Sequence, residues 1–273
     1  MVSQEQRRRQ LAREKFLRQQ QRRTAARRRT HARNAVIASV LGVVVVGSVV
    51  SYATGVFKDD DKKTSAGAEV TPSPSTPSKV PDPCKKAAAG KVKSLSWKKE
   101  PAVTIDKSAD YSMKLATTCG DIDVDLKTAA APHTVNSFNF LAGKGFFDHT
   151  KCHRLVTNGI YVLQCGDPQG TGSGGPGYTI PDENLKDKTL KDGVYPAGTI
   201  AMANTGQKHT GGSQFFLVYQ DSKLPPSYTP FGTVSKSGMT VLKKIAAAGE
   251  STGQGDGAPN ATVVIDKMTV TKS

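Results

Sequence analysis

Residues 111–126, YSMKLATTCGDIDVDL, alternate between apolar and polar side chains on both sides of a glycine. Tyr111, Met113 and Leu115 share one parity, and Ser112, Lys114 and Ala116 the other. Past Cys119–Gly120, Ile122, Val124 and Leu126 alternate with Asp121, Asp123 and Asp125. Successive side chains of a strand point to opposite faces, so two such runs about a glycine predict a β-hairpin with one buried face. The pattern then changes period. Pro132 suits a first helical turn, Val135, Phe138 and Leu141 recur at helical spacing, and Gly143 and Gly145 end the helix. Short strands are expected at 152–157, 160–165, 198–203, 214–219 and 229–235. A second helix is expected from Ser237 to Gly249 with Met239, Leu242 and Ile245 on one face, and a last strand from Thr262 to Thr271. Many short strands, two helices and frequent glycine turns predict an all-β-dominated fold, a closed antiparallel barrel capped by the helices.

Upstream of this globular part the composition changes three times. Residues 1–34 hold twelve Lys or Arg against two Asp or Glu, a net +10 of the chain's +15. The basic character therefore belongs to a tail, and nucleic acid is not an expected partner of the main domain. Residues 35–57 run AVIASVLGVVVVGSVVSYATGVF, 23 residues without a charge. As a helix they would measure about 34 Å, enough for a hydrocarbon core of about 30 Å. Arginines 27–29 and Arg33 precede them. The expectation is a single-pass signal-anchor in the cell membrane, with residues 1–34 as a cytoplasmic tail and the folded domain extracytoplasmic. A cleaved signal peptide is the alternative, with a small-x-small exit at Ser51–Tyr52–Ala53. The tail either lies on anionic lipid headgroups or is a solvated segment that only orients the chain. Residues 58–95, with Pro72, Pro74, Pro77, Pro81 and Pro83 among Ser, Thr and Lys, read as a disordered linker, which leaves 96–273 as the folded domain.

Hydrolase and metal chemistries find no support. There is no H-E-x-x-H and no C-x-x-C. The glycine run 170–177 lacks the Gly-Lys-Ser/Thr of a phosphate loop. Four segments carry residues that packing alone does not demand: His153–Arg154, Gln164–Cys165–Gly166–Asp167, Met202–Ala203–Asn204, and Gly212–Ser213–Gln214–Phe215–Phe216. Singly, each has a bland reading. Arg154 would be a surface or ion-paired arginine, Gln164 and Gln214 hydrogen-bonded edge residues, and Phe216 core.

In order and content, however, these segments closely resemble the cyclophilin family, in a membrane-anchored bacterial type, over roughly Tyr111 to Thr271. The resemblance implies an eight-stranded barrel capped by two helices and peptidyl-prolyl cis-trans isomerase activity without metal or cofactor. Proline-containing polypeptides, as X–Pro segments of exported proteins folding outside the cytoplasm, are the implied substrates. Arg154 corresponds to the catalytic arginine and Gln164 to the glutamine that positions it. Ala203, Asn204 and Gln214 correspond to residues holding the substrate backbone, and Phe216, Val162 and Leu224 to walls of the proline pocket. His153 belongs to the signature beside the arginine. Tyr161 stands where the family commonly has Phe, and Tyr228 where many members have His. Lys223 replaces the Trp linked to cyclosporin binding, so strong cyclosporin affinity is not expected. The segment from Arg154 to Gln164 is two residues longer than the usual pattern.

The four cysteines are either buried thiols or two disulfides. Cys152 and Cys165 flank the strands carrying Arg154 and Gln164, which suggests one bridge there and a second, Cys84–Cys119, tying the linker to the first hairpin. Two other functions remain open: a proline-peptide binding module or holdase of low turnover, and an envelope anchor working through tail and linker.

Overall fold

The structure, a computed structural model, describes residues 81–272. The first hairpin joins β1 (Tyr111–Thr117) and β2 (Gly120–Leu126), with Met113 opposite Val124 and Leu115 opposite Ile122. Those four side chains are buried. On the other face the Lys114 ammonium lies 3.1 Å from Asp121 and 3.7 Å from Asp123. Helix α1 (Pro132–Gly143) follows, with proline in its first turn. Ala131 offers it no side-chain cap. The free N–H groups of that end are met by a distant carboxylate instead: Glu183 accepts from the backbone N–H of His133 at 3.0 Å and of Thr134 at 2.8 Å.

Eight short strands come next: β3 (Thr150–Lys151), β4 (Arg154–Val156), β5 (Val162–Cys165), β6 (Val194–Tyr195), β7 (Thr199–Met202), β8 (Phe215–Val218), β9 (Ser222–Lys223) and β10 (Pro230–Val234). Helix α2 (Lys236–Ala247) starts at Ser235, whose hydroxyl accepts from the Gly238 N–H at 3.1 Å. The chain closes with β11 (Asp256–Gly257) and β12 (Val264–Lys272).

Ten strands form one sheet in the order β11-β4-β5-β8-β7-β10-β2-β1-β12-β3, and β6 pairs separately with β9. The expected closed eight-stranded barrel is corrected on this point. The sheet is a curled, open half-barrel whose end strands β3 and β11 do not pair with each other. The cause lies where the chain changes partners. The Cys152 N–H donates to Val263 O on the β12 side at 3.0 Å, and the next N–H, of His153, donates to Gln164 O on the β5 side at 3.1 Å. A segment that switches partner between adjacent residues breaks into two short strands and cannot carry a continuous ladder.

Alternation sorts the side chains of the central strands. Leu155, Leu163, Cys165, Ile200, Phe215 and Leu217 join the main core. There Phe138 of α1 packs against Phe147, Phe215 and Phe231 at centroid distances of 5.3, 5.5 and 4.7 Å. The opposite parity, Val156, Val162, Ala201, Phe216 and Val218, builds a smaller apolar cluster with Tyr195 on the other face. The candidate site grows from this second cluster.

Residues 81–109 hold no strand or helix but are tied down. Cys84 is disulfide-bonded to Cys119. The Lys85 N–H donates to Thr118 O at 2.8 Å, the Trp97 N–H to Pro176 O at 2.8 Å, and the Trp97 ring meets Phe140 edge-on at 5.0 Å.

Among the described residues no helix is long and apolar enough to cross a membrane. The two helices have 12 residues each, about 18 Å at 1.5 Å per residue, short of a hydrocarbon core of about 30 Å. The membrane-anchored type, the transmembrane helix and signal-anchor, and the single-pass cell-membrane location with an extracytoplasmic domain are accordingly withdrawn. So is the membrane as a partner through residues 35–57. That apolar run and the basic tail at 1–34 lie outside the described residues.

Candidate active site

Four adjacent strands bring a row of side chains together on the face away from the main core. Arg154 on β4 stands directly opposite Gln164 on β5; Gln164 is opposite Phe216 on β8, and Phe216 opposite Ala201 on β7. Parity fixes this arrangement, since each of these residues shares a face with the smaller apolar cluster.

The polar half of the row is a chain of hydrogen bonds. Arg154 Nη1 donates to Gln164 Oε1 at 3.2 Å, Gln164 Nε2 to Gln214 Oε1 at 2.9 Å, and Gln214 Nε2 to Gly174 O at 2.9 Å. The other edge of the guanidinium meets Asp256: Nε donates to Oδ1 at 2.7 Å and Nη2 to Oδ2 at 2.6 Å. Hydrogen bonding to Asp256 raises the Arg154 pKa above its ordinary value, and hydrogen bonding to Arg154 lowers that of Asp256.

The apolar half is a slot of about 170 Å³ lined by Arg154, Ile160, Val162, Gln164, Ala203, Asn204, Phe216, Leu224 and Tyr228. The Phe216 and Tyr228 rings meet edge to face at 5.3 Å. Tyr195 stands behind them, accepting at its hydroxyl from the Tyr228 N–H at 3.2 Å and donating to Tyr228 O at 2.8 Å. Burial pushes the Tyr195 phenol up to about 12, so it remains a donor throughout the neutral range. Tyr195→Phe is expected to cost about 1–3 kcal/mol of stability, since it removes both hydrogen bonds to the Tyr228 main chain and leaves their partners unpaired, and to loosen the Tyr228 wall. Denaturant melts of the two proteins measure it, and equal midpoints would contradict it.

Beside the slot, and sharing Gln164, Ala203 and Asn204 with it, lies an open groove of about 990 Å³ walled by Gly172–Thr179 and by Lys98–Glu100. The Asn204 side chain is tied into its own loop, donating to Ser227 O at 2.8 Å and accepting from the Gly206 N–H at 2.9 Å. Its own main-chain N–H and C=O take no partner among the described residues and stand at the junction of slot and groove.

Two of the residues singled out from the sequence lie elsewhere. The Tyr161 ring packs edge-on against Tyr219 at 5.9 Å, on the main-core side. His153 is turned toward the glycine-rich loop, with both ring nitrogens buried and without a hydrogen-bond partner. Burial lowers its pKa, and the Arg154 charge adds to that, against the opposing pull of Asp167. Three contributors were not anticipated: Ile160, Tyr195 and Asp256. Asp256 is 102 residues from Arg154, between Gly255 and Gly257.

The glycine-rich loop is filled from inside. Asp167, fully buried, accepts from the N–H groups of Gln169, Thr171, Gly172 and Ser173 at 2.6–3.1 Å. A Cβ at Gly174 would fall 1.9 Å from Asp167 Oδ1, so only glycine fits there. The nest that could have cradled an anion thus holds the protein's own carboxylate. Burial pushes the Asp167 pKa up, but the backbone donors outweigh it and the net shift is down from 3.8. A depressed carboxylate stabilises the fold fully above its unfolded pKa and loses that contribution as pH falls through the folded value. Asp167→Asn is expected to melt below the wild type at pH 6, with the gap held down to pH 3.8 and closing only as pH falls below it. A gap independent of pH would contradict this.

Cys152, two residues before β4, and Cys165, at the end of β5, form a second disulfide that links the two strands carrying Arg154 and Gln164. Among the described residues no group of three His, Cys, Asp or Glu side chains could hold a metal ion.

Comparison with known proteins adds the following. Residues 112–270 match the family model for cyclophilin type peptidyl-prolyl cis-trans isomerase/CLD. The chain is 45% identical over 203 residues to the probable peptidyl-prolyl cis-trans isomerase B of Mycobacterium leprae, covering 71% of this chain and 64% of that protein. It is 41% identical over 126 residues to peptidyl-prolyl cis-trans isomerase B of Bacillus subtilis, covering 46% of this chain and 82% of that one. The chain thus spans slightly less than two thirds of the mycobacterial relative's length. Among solved structures, a cyclophilin type peptidyl-prolyl cis-trans isomerase of Cryptosporidium parvum superposes with a TM-score of 0.51 at 25% identity, covering 60% of this chain and 99% of that one.

Proposed function

This chain belongs to the cyclophilin-type peptidyl-prolyl cis-trans isomerase family, and we propose that it catalyses cis-trans isomerisation of X–Pro bonds in polypeptide substrates at the slot between Arg154 and Phe216. The observation that carries this reading is the juxtaposition of a guanidinium with an apolar slot of about 170 Å³. That volume suits one small ring.

The reaction breaks no covalent bond. Its barrier of about 20 kcal/mol comes from resonance between the amide nitrogen and its carbonyl. A catalyst must therefore favour the twisted amide over both planar forms. In the twisted state the prolyl nitrogen becomes pyramidal and exposes a lone pair. A guanidinium can donate to that nitrogen, and it keeps its charge at every working pH. Phe216, Val162, Leu224 and Tyr228 hold the ring still, while the free main chain of Asn204 offers a donor and an acceptor to the substrate backbone. With the ring side held, the carbonyl side turns. Donors already in place pay little reorganisation at the transition state.

Gln164 acts through Arg154. Its amide is oriented by Gln214, and Gln214 by the Gly174 carbonyl, so the relay ends on main chain rather than in solvent. The groove beside the slot receives the residues that flank the X–Pro bond.

The test is a protease-free isomerisation assay of the full chain on a proline peptide. Catalysed exchange supports the reading. Binding of the peptide without acceleration would replace it with the alternative of a proline-peptide binding module.

A further inference from the structure

We propose that Asp256 is a positioning residue for Arg154, fixing the plane of the guanidinium so that its unengaged N–H groups face the slot. This inference rests on the isomerase reading of the slot. Five N–H donors fan out from an arginine in one plane. Gln164 and Asp256 engage three of them. The two that remain belong to Nη1 and Nη2.

An ion pair this exposed, with the Arg154 side chain 40% and the Asp256 side chain 51% accessible, contributes at most about 1 kcal/mol to stability. What the pair supplies is geometry. Two parallel bonds to one carboxylate remove the rotation about Nε that a single bond leaves free. Gln164 alone touches one nitrogen.

The carboxylate is itself held in the frame of the strand it serves. Asp256 pairs with Val156 across the β11–β4 ladder, which makes it a diagonal neighbour of Arg154 on the same face. The Thr157 N–H donates to Gly255 O at 2.8 Å. Gly255 has φ +90°, and a Cβ there would fall 2.5 Å from the Cβ of Asn158, so the loop comes as close to β4 as glycine allows. At its root Glu250, 8% exposed, accepts from the Thr252 N–H at 2.6 Å, the Thr252 hydroxyl at 2.7 Å and the Gly255 N–H at 2.8 Å. The 250–257 loop is thus a rigid bracket whose only side chain on the guanidinium is Asp256.

The test compares Asp256→Asn, Asp256→Glu, Arg154→Ala and the Asp256→Asn/Arg154→Ala double variant by steady-state isomerisation, with thermal melts of each. Asp256→Asn should lower kcat roughly fivefold with KM and the melting temperature unchanged, because the loss falls on the transition state. Asp256→Glu should recover part of that rate. In the Arg154→Ala background, Asp256→Asn should change nothing further. If Arg154→Ala slows the enzyme while Asp256→Asn leaves turnover unchanged or raises it, or slows it equally with and without Arg154, the inference is overturned and the isomerase reading stands. If Arg154→Ala has no effect, both fall together.

Discussion

Arg154→Ala is expected to leave the fold intact and to slow X–Pro isomerisation at least tenfold, about 1.4 kcal/mol or more of barrier. Structural survival follows from its place: the side chain is 40% exposed, and its partners Gln164 and Asp256 can turn to water. The rate loss follows from what the guanidinium does. A planar X–Pro amide has no free lone pair on nitrogen, so the interaction arises only as the bond twists. An interaction made only in the transition state appears in kcat and hardly in KM. Turnover near wild type, or a loss confined to KM, would contradict the assignment.

Phe216→Ala is expected to act differently, lowering kcat/KM about tenfold or more with much of the loss in binding. The ring is 6% exposed and stands between Tyr228 at 5.3 Å and Tyr195 at 6.4 Å. Truncation turns the slot's wall into a void. A substrate ring then loses contact area worth about 1.5–3 kcal/mol, roughly ten- to hundredfold in affinity. Phe216→Leu fills most of the void and should recover part of the loss. Melts of both variants separate pocket effects from unfolding, and unchanged substrate affinity in a folded Phe216→Ala protein would count against the slot.

The parts of the fold legible in the sequence are those set by local period. The hairpin alternates within Tyr111–Thr117 and again within Gly120–Leu126, and the buried and exposed faces of each strand follow that alternation. Helix α1 runs from the proline to the glycine that mark it, Pro132–Gly143. Closure was not legible, because it depends on which strand each backbone N–H finds at Cys152 and His153, and side-chain pattern carries no information about that choice. Asp256 was hidden for a similar reason: its partner lies 102 residues earlier, and its own neighbours are glycines.

Tyr161 and His153 are a different case. Gln164 and Val162 share a parity, so Tyr161 must face the other way in an extended run, and His153 is likewise out of phase with Arg154. The alternation alone thus separates both side chains from the row that carries Arg154 and Gln164. The glycine-rich loop could be set aside as a phosphate cradle from sequence, but only the structure supplies the reason, the Asp167 carboxylate already seated in it.

The measurement that bears most directly on the central claim is two-dimensional exchange NMR of a proline peptide with the full chain carrying Arg154→Lys. Lysine keeps the positive charge beside the slot and removes the planar fork. The expected result is peptide that still binds, seen as chemical-shift changes like those with the wild type, while cis and trans signals no longer exchange on the enzyme. Exchange at the wild-type rate would mean that charge alone suffices and that the fixed fork of donors is not the catalyst.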